Sequence, residues 1–163
     1  MKFAFIFPAA ISCLLAGCAS HQPAPPAAAA VTAPARRDFE NTDSFKIETA
    51  VYGYLLEKHP WGDQPYAAIF LGGNDDRAAA MIEKLPKSAL PLKPASRANL
   101  RPNQAPIDAD TGKPALLLTA RALGPTNGVS EAVGTWYGGG DDSGLLAFVL
   151  IEADGRWTIQ SAK

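Results

Sequence analysis

The sequence predicts an α+β domain, an antiparallel four-stranded C-terminal meander packed on an N-terminal amphipathic helix. Three observations predict it. Ile47, Val51, Tyr54 and Leu55 recur at helical spacing until His59-Pro60 stops the run. Ala115 to Leu123, Val129 to Tyr137, Leu145 to Ala153 and Arg156 to Ser161 are rich in β-formers. The segments between them carry turn chemistry: Gly-Pro-Thr-Asn-Gly, then Gly-Gly-Gly-Asp-Asp-Ser-Gly, then Asp154-Gly155, a strong two-residue hairpin signal. A meander with one apolar face needs a partner layer, and the amphipathic helix supplies it.

The chain opens with Lys2 and the apolar stretch Phe3 to Leu14, too short for a permanent bilayer span and of the length of a secretory signal. Leu15-Ala16-Gly17-Cys18 follows: an apolar residue, two small ones and a cysteine. This order resembles the lipobox of bacterial lipoprotein precursors. The resemblance implies a signal peptide over 1–17, removed before Cys18, and a Cys18 that carries diacylglycerol and palmitate-type acyl chains. Each buried methylene adds about 0.8 kcal/mol, so two or three chains anchor a protein in effect permanently. Ala19 stands where an aspartate would mark inner-membrane retention. The expected location is therefore the periplasm-facing leaflet of an outer membrane, or the cell membrane where no outer membrane exists.

Of the two cysteines, Cys13 leaves with the signal and Cys18 is consumed by lipid, so no thiol is left for a disulfide, a metal or a nucleophile. Lys and Arg number 15 against 16 Asp and Glu, a balance that offers no electrostatic footprint for nucleic acid. The expected partners are the bilayer, through acylated Cys18, and an envelope protein.

Residues 18–35, CASHQPAPPAAAAVTAPA, are dominated by alanine and proline and carry almost no charge. Such a stretch buries too little apolar surface to order itself and reads as a disordered tether. At about 3.1 Å per residue it reaches up to roughly 50 Å from the membrane. Arg36-Arg37 open the single globular domain, 36–163.

Within that domain Asn41-Thr42-Asp43 offers N-caps for a helix over Ser44 to Lys58. Tyr66 to Leu71 reads as a short buried strand closed by Gly72-Gly73-Asn74. Asp75 or Asp76 then caps a second helix, Arg77 to Leu85, which Pro86 ends. Pro86, Pro91, Pro94, Pro102, Pro106 and Pro114 forbid long regular structure and predict a wrapping loop, with one short edge strand near Lys93 to Ser96.

The closing pattern Gly134-x-Trp136-Tyr137-Gly138-Gly139, then Ser143-Gly144, Leu145 to Ile151 and Asp154-Gly155-Arg156-Trp157-Thr158-Ile159 resembles the C-terminal hairpin of small bacterial α+β domains. Nuclear transport factor 2-like and cystatin-like folds are among them. The resemblance implies a curved antiparallel sheet wrapped round a helix. It implies no particular activity, because such folds host enzymes, binders and assembly modules alike.

Several motifs could carry chemistry. Asp110-Thr111-Gly112 spells the aspartic-protease triplet, but Ile107-Asp108-Ala109 before it and Lys113-Pro114 after it suit a turn. Asp108-x-Asp110-x-Gly112 begins like a calcium loop, yet its glycine comes one position early and Thr119 stands where the closing glutamate should. Gly138-Gly139-Gly140 could offer amides to a phosphate, but Asp141 and Asp142 follow and would repel it, leaving a hairpin tip or a partner-contact loop. His59, the sole histidine of the 36–163 domain, has no second histidine or spaced carboxylate pair there to work with. No catalytic residue, metal ligand or cofactor is nominated.

Tyr52, Tyr54, Trp61, Trp136 and Tyr137 are the candidate contacts for a ligand or partner. The reading is a non-catalytic, membrane-tethered envelope interaction module. The alternative is a small-molecule binder with a pocket under the curved sheet. An isomerase-like enzyme comes third, and would need an acid sharing a cavity with Tyr52, Tyr54 or Tyr66.

Overall fold

A computed structural model describes residues 38–58, 61 and 65–163. The expected signal peptide over 1–17, with Leu15, Ala16, Gly17 and Cys18 of the lipobox resemblance, the expected tether over 18–35 and His59 lie outside the described residues.

Thr42 starts the first helix, α1 (Asp43–Lys58), as its N-cap. Its Oγ1 accepts the Phe45 amide at 3.3 Å and its carbonyl accepts the Lys46 amide at 3.2 Å. Asp43 in the first turn and Lys58 in the last complement the helix dipole. The buried stripe is Phe45, Ile47, Val51, Tyr52 and Leu55; Tyr54, expected in it, sits at its half-buried margin.

Strand β1 (Ile69–Leu71) is wholly buried and leads to α2 (Asp75–Lys84). Asn74, not Asp75 or Asp76, caps this helix: its side chain accepts the amides of Asp76 at 2.9 Å and Arg77 at 3.5 Å. The two aspartates lie inside the first turn, where their charge still faces the positive helix end. Helix α2 returns the chain to β2 (Leu92–Pro94), a short edge strand at the expected place. A two-residue pair then forms between β3 (Ala98–Asn99) and β4 (Ile107–Asp108).

The remaining strands are β5 (Leu116–Ala122), β6 (Val129–Gly139), β7 (Asp142–Ala153) and β8 (Arg156–Ala162). The main sheet has six strands in the order β2-β1-β5-β6-β7-β8. It is therefore larger than the expected four-stranded meander. Strand β1 pairs in parallel with both β2 and β5, and only the run β5 to β8 is antiparallel. The extra strands arise because α2 carries the chain across, and a crossover is what parallel neighbours require.

Two turns follow from backbone sterics. Asp154 (φ 53°) and Gly155 (φ 75°) both take the left-handed conformation that a two-residue hairpin demands. The glycine-rich tip is shorter than its sequence suggests, because β6 runs on to Gly139 and β7 begins at Asp142. Gly138 is buried because the Tyr66 phenol lies where its Cβ would be.

The core lies between α1 and the sheet, with Ile69, Leu71, Leu116, Leu118, Phe148 and Leu150 meeting the helix stripe. Gly134 lets α1 sit close on the sheet: a Cβ there would stand 2.9 Å from both Phe148 and Val51. On the opposite face Ala68, Phe70 and Ala115 form a smaller cluster with Ala98 of β3 and Leu117.

Candidate functional site

Of the five aromatic residues singled out from the sequence, Tyr52, Tyr54, Trp61 and Trp136 belong to or pack against the one core cluster, and Tyr137 stands apart from it. Tyr52 belongs to the core: its hydroxyl donates to the Gly72 carbonyl and accepts the Ala120 amide, each at 3.1 Å, and so ties the end of β1 to β5. Burial pushes its pKa up to about 12. Tyr54 packs edge-on against Phe148 at 5.3 Å between centroids, and Trp61 against Trp136 at 5.9 Å. Gly144, opposite Trp136 in the ladder, leaves room for that indole. Tyr137 projects to the other face, where with Leu117 and the 100–104 loop it lines a hollow of about 480 Å³.

The Asp108-x-Asp110 turn is an ionic clamp. Nζ of Lys93 lies 2.9 and 3.0 Å from the two oxygens of Asp108 and 2.9 Å from Asp110. Arg97 adds a 2.6 Å contact to Asp110, and Thr111 donates to Asp108 at 2.8 Å. These bonds hold both carboxyls below the usual carboxylate range, the Lys93 bond being the largest cause, and the same bonds raise Lys93. The carboxylate oxygens that would wrap a cation or activate a water are directed to Lys93, Arg97 and Thr111, so the turn pins the proline-rich loop to β2.

Tyr66 and Asp142 come together at the β6–β7 tip, the phenol donating to the carboxylate. Burial, reinforced by this bond, raises the pKa of Tyr66. The pair is the tyrosine–acid juxtaposition that an isomerase-like site needs, but Tyr66 is buried against Gly138 and its hydroxyl is committed to Asp142.

Open space lies along the flank of α1, beside β8. One hollow of about 700 Å³ is lined by Glu40, Lys46, Thr49 and Lys84 and by the hairpin residues Gly155, Arg156 and Trp157. A second, of about 450 Å³, is lined by Ala50, Gly53, Tyr54 and Glu57 of α1, by Pro86 and by Trp157, Thr158 and Ile159 of β8. Trp157 borders both, and its Nε1 donates to Asp43 at 3.2 Å, which fixes the indole against the start of α1. Lys46, Lys84 and Arg156 place three cations round the first hollow against one acid, Glu40, which pairs with Lys84 at 3.0 Å.

Sequence reasoning missed this flank. The available signal was the row Lys46, Thr49, Ala50, Gly53, Glu57, which keeps one side of an otherwise apolar-faced helix small or polar at helical spacing.

The outer face of the meander is the second open surface. Val129 pairs with Ile151, Val133 with Ala147 and Thr135 with Leu145, all on the side away from α1. Leu145 is 60% exposed, Val129 45% and Ile151 41%. Leu123, Val133, Ala147 and Val149, together with Glu131 and Lys163, line a groove there of about 160 Å³.

Compared with family models, curated proteins and solved structures, the chain gives no significant match.

Proposed function

We propose that the protein is a lipoprotein anchored by acylated Cys18, facing the periplasm from an outer membrane, or facing outward from the cell membrane of a cell with one membrane. Its folded part acts as a non-catalytic module that binds another envelope component. The lipobox resemblance of Leu15-Ala16-Gly17-Cys18 and the alanine-proline tether support the anchoring.

One observation carries the binding role. The antiparallel run β5 to β8, read as the working meander of the fold, turns a row of Val129, Leu145 and Ile151 to solvent on the face that α1 leaves bare. The β3–β4 pair shields the neighbouring part of that face over Phe70, and nothing in the described chain extends the cover across β6 and β7. Glu131, paired with Val149, and Thr135, paired with Leu145, interrupt the row, so the face mixes exposed large apolar side chains with polar ones, which is the make-up of a non-obligate interface.

A second reading, small-molecule binding, draws on the hollows beside Trp157, which fall within the size of ligand sites. They lie on the flank of α1; under the sheet, Gly134, Val51, Leu55 and Phe148 are in close contact.

The test is a pulldown from native membranes with the lipidated protein and a Cys18→Ala control, read by mass spectrometry. Acyl mass on the N-terminal fragment and one envelope protein enriched only with the lipidated form are expected. A fragment without acyl mass would overturn the anchoring, and turnover of an envelope substrate by the purified protein would overturn the non-catalytic role.

A further inference from the structure

The two edges of the main sheet are built differently. Edge strand β2 is three residues long, contains Pro94 and has its Lys93 drawn into the clamp with Asp108 and Asp110, all features that discourage another strand from pairing. Edge strand β8, Arg156-Trp-Thr-Ile-Gln-Ser-Ala162, is seven residues long and has no proline. At about 3.3 Å per residue it offers roughly 23 Å of pairing edge.

The hollows lie along this edge. Thr49, Ala50 and Gly53 keep the floor on α1 low, and Lys84 and Pro86 stand across from β8. A channel between a helix and an unblunted edge strand has the form of sites that accept an extended segment by strand addition, with main-chain bonds giving affinity and side-chain hollows giving selectivity. The charge along it is asymmetric: Lys46 and Arg156 stand at the end near the hairpin beside Lys84, which pairs with Glu40, and Glu57 stands toward the other end.

We infer that the groove between α1 and β8 binds an extended peptide of a partner protein, a role that rests on the interaction-module reading. The peptide adds as a strand to β8 and sets acidic residues against Lys46 and Arg156, with small apolar side chains following past Trp157 toward Ile159. The basic end selects the acidic end of the peptide and gives the binding its salt dependence.

The experiment uses the full-length lipidated protein in detergent micelles and a short fluorescein-labelled peptide of alternating valine and threonine with aspartates at one end. A second peptide carries lysines in their place. Fluorescence polarisation is expected to show salt-sensitive binding of the aspartate peptide only, weakened about tenfold or more by Arg156→Glu and by Lys46→Glu. Both substituted residues are partly or fully exposed, and an unchanged melting temperature verifies the fold of each variant. Amide exchange is expected to slow at Trp157 and Ile159 when the peptide is bound, because their backbone groups point away from β7 while those of Arg156 and Thr158 bond to it. Equal binding of both peptides, indifference to the charge reversals, unchanged exchange along β8, or no binding up to about 1 mM would each overturn the groove assignment. If the pulldown still enriches its envelope partner with Arg156→Glu while the peptide fails, the groove is wrong and the interaction-module reading stands.

Discussion

Lys93 holds both carboxylate oxygens of Asp108 with one ammonium, at 2.9 and 3.0 Å, across 15 positions of a chain that is otherwise irregular there. Asp108 is fully buried. Removing the lysine leaves a buried carboxylate with Thr111 and the Asp110 amide as its remaining partners, and an uncompensated buried charge is strongly destabilising. Lys93→Met is therefore expected to lower the melting temperature by on the order of 5–10 °C, with Asp108→Asn smaller because it removes the charge along with the pairing. Thermal unfolding followed by circular dichroism measures both. A Lys93→Met variant that melts with the parent would show that the clamp adds nothing.

The same clamp sets a pH dependence. Asp108 and Asp110 have carboxyls lowered by Lys93 and Arg97, so their contribution is complete above the unfolded value of about 3.9 and is lost as pH falls through their lower folded values. Lys93 is raised, so its contribution is complete below about 10.4 and is lost as pH rises through its higher folded value. The stability gap between the parent and Lys93→Met is expected to be flat across the neutral range and to close at both extremes. Urea unfolding across pH tests it; a gap that closed near neutrality would point to another titrating group.

Tyr52→Phe keeps the ring and deletes the hydroxyl that joins Gly72 to Ala120. With its pKa pushed up to about 12, that hydroxyl stays protonated and donates to the carbonyl throughout the working range. Two half-buried backbone groups lose a partner, so a cost of about 1 kcal/mol is expected in urea unfolding. A neutral result would mean that water replaces the hydroxyl.

Gly134→Ala tests how tightly α1 sits on the sheet. The added methyl would stand 2.9 Å from Phe148 and Val51 and 3.1 Å from Leu55, all three part of the packed core. Overpacking of this kind costs about 1–3 kcal/mol, again readable by urea unfolding. An unchanged midpoint would show that α1 moves away from the sheet without penalty.

The parts legible in the sequence were those set by local rules. Asp154-Gly155 dictates its hairpin by the φ its residues must adopt, and the stripe of Ile47, Val51 and Leu55 dictates which side of α1 is buried. The parallel pairing of β1 was not legible, since its three residues carry no alternation and its neighbours are chosen by where α2 delivers the chain. Asp108-x-Asp110 was readable as a turn, but its partner Lys93 lies in another strand and bears no spacing relation to it. The groove was hidden for the same reason: α1, the end of α2 and β8 each contribute residues that are unremarkable in their own segments.

The bare face of the meander gives the last prediction. Leu145 and Ile151 turn away from α1 and stay exposed in a sheet whose opposite side is closely packed, so their side chains add little to the domain's own stability. Leu145→Ser with Ile151→Ser is expected to change unfolding free energy by no more than about 0.5 kcal/mol per site, while recovery of the envelope partner in the membrane pulldown falls by about tenfold or more. A fold intact and a partner lost would separate a docking surface from a structural one. If recovery is unchanged, the partner does not use this face; if the domain unfolds, the two residues belong to its stability and not to its contacts.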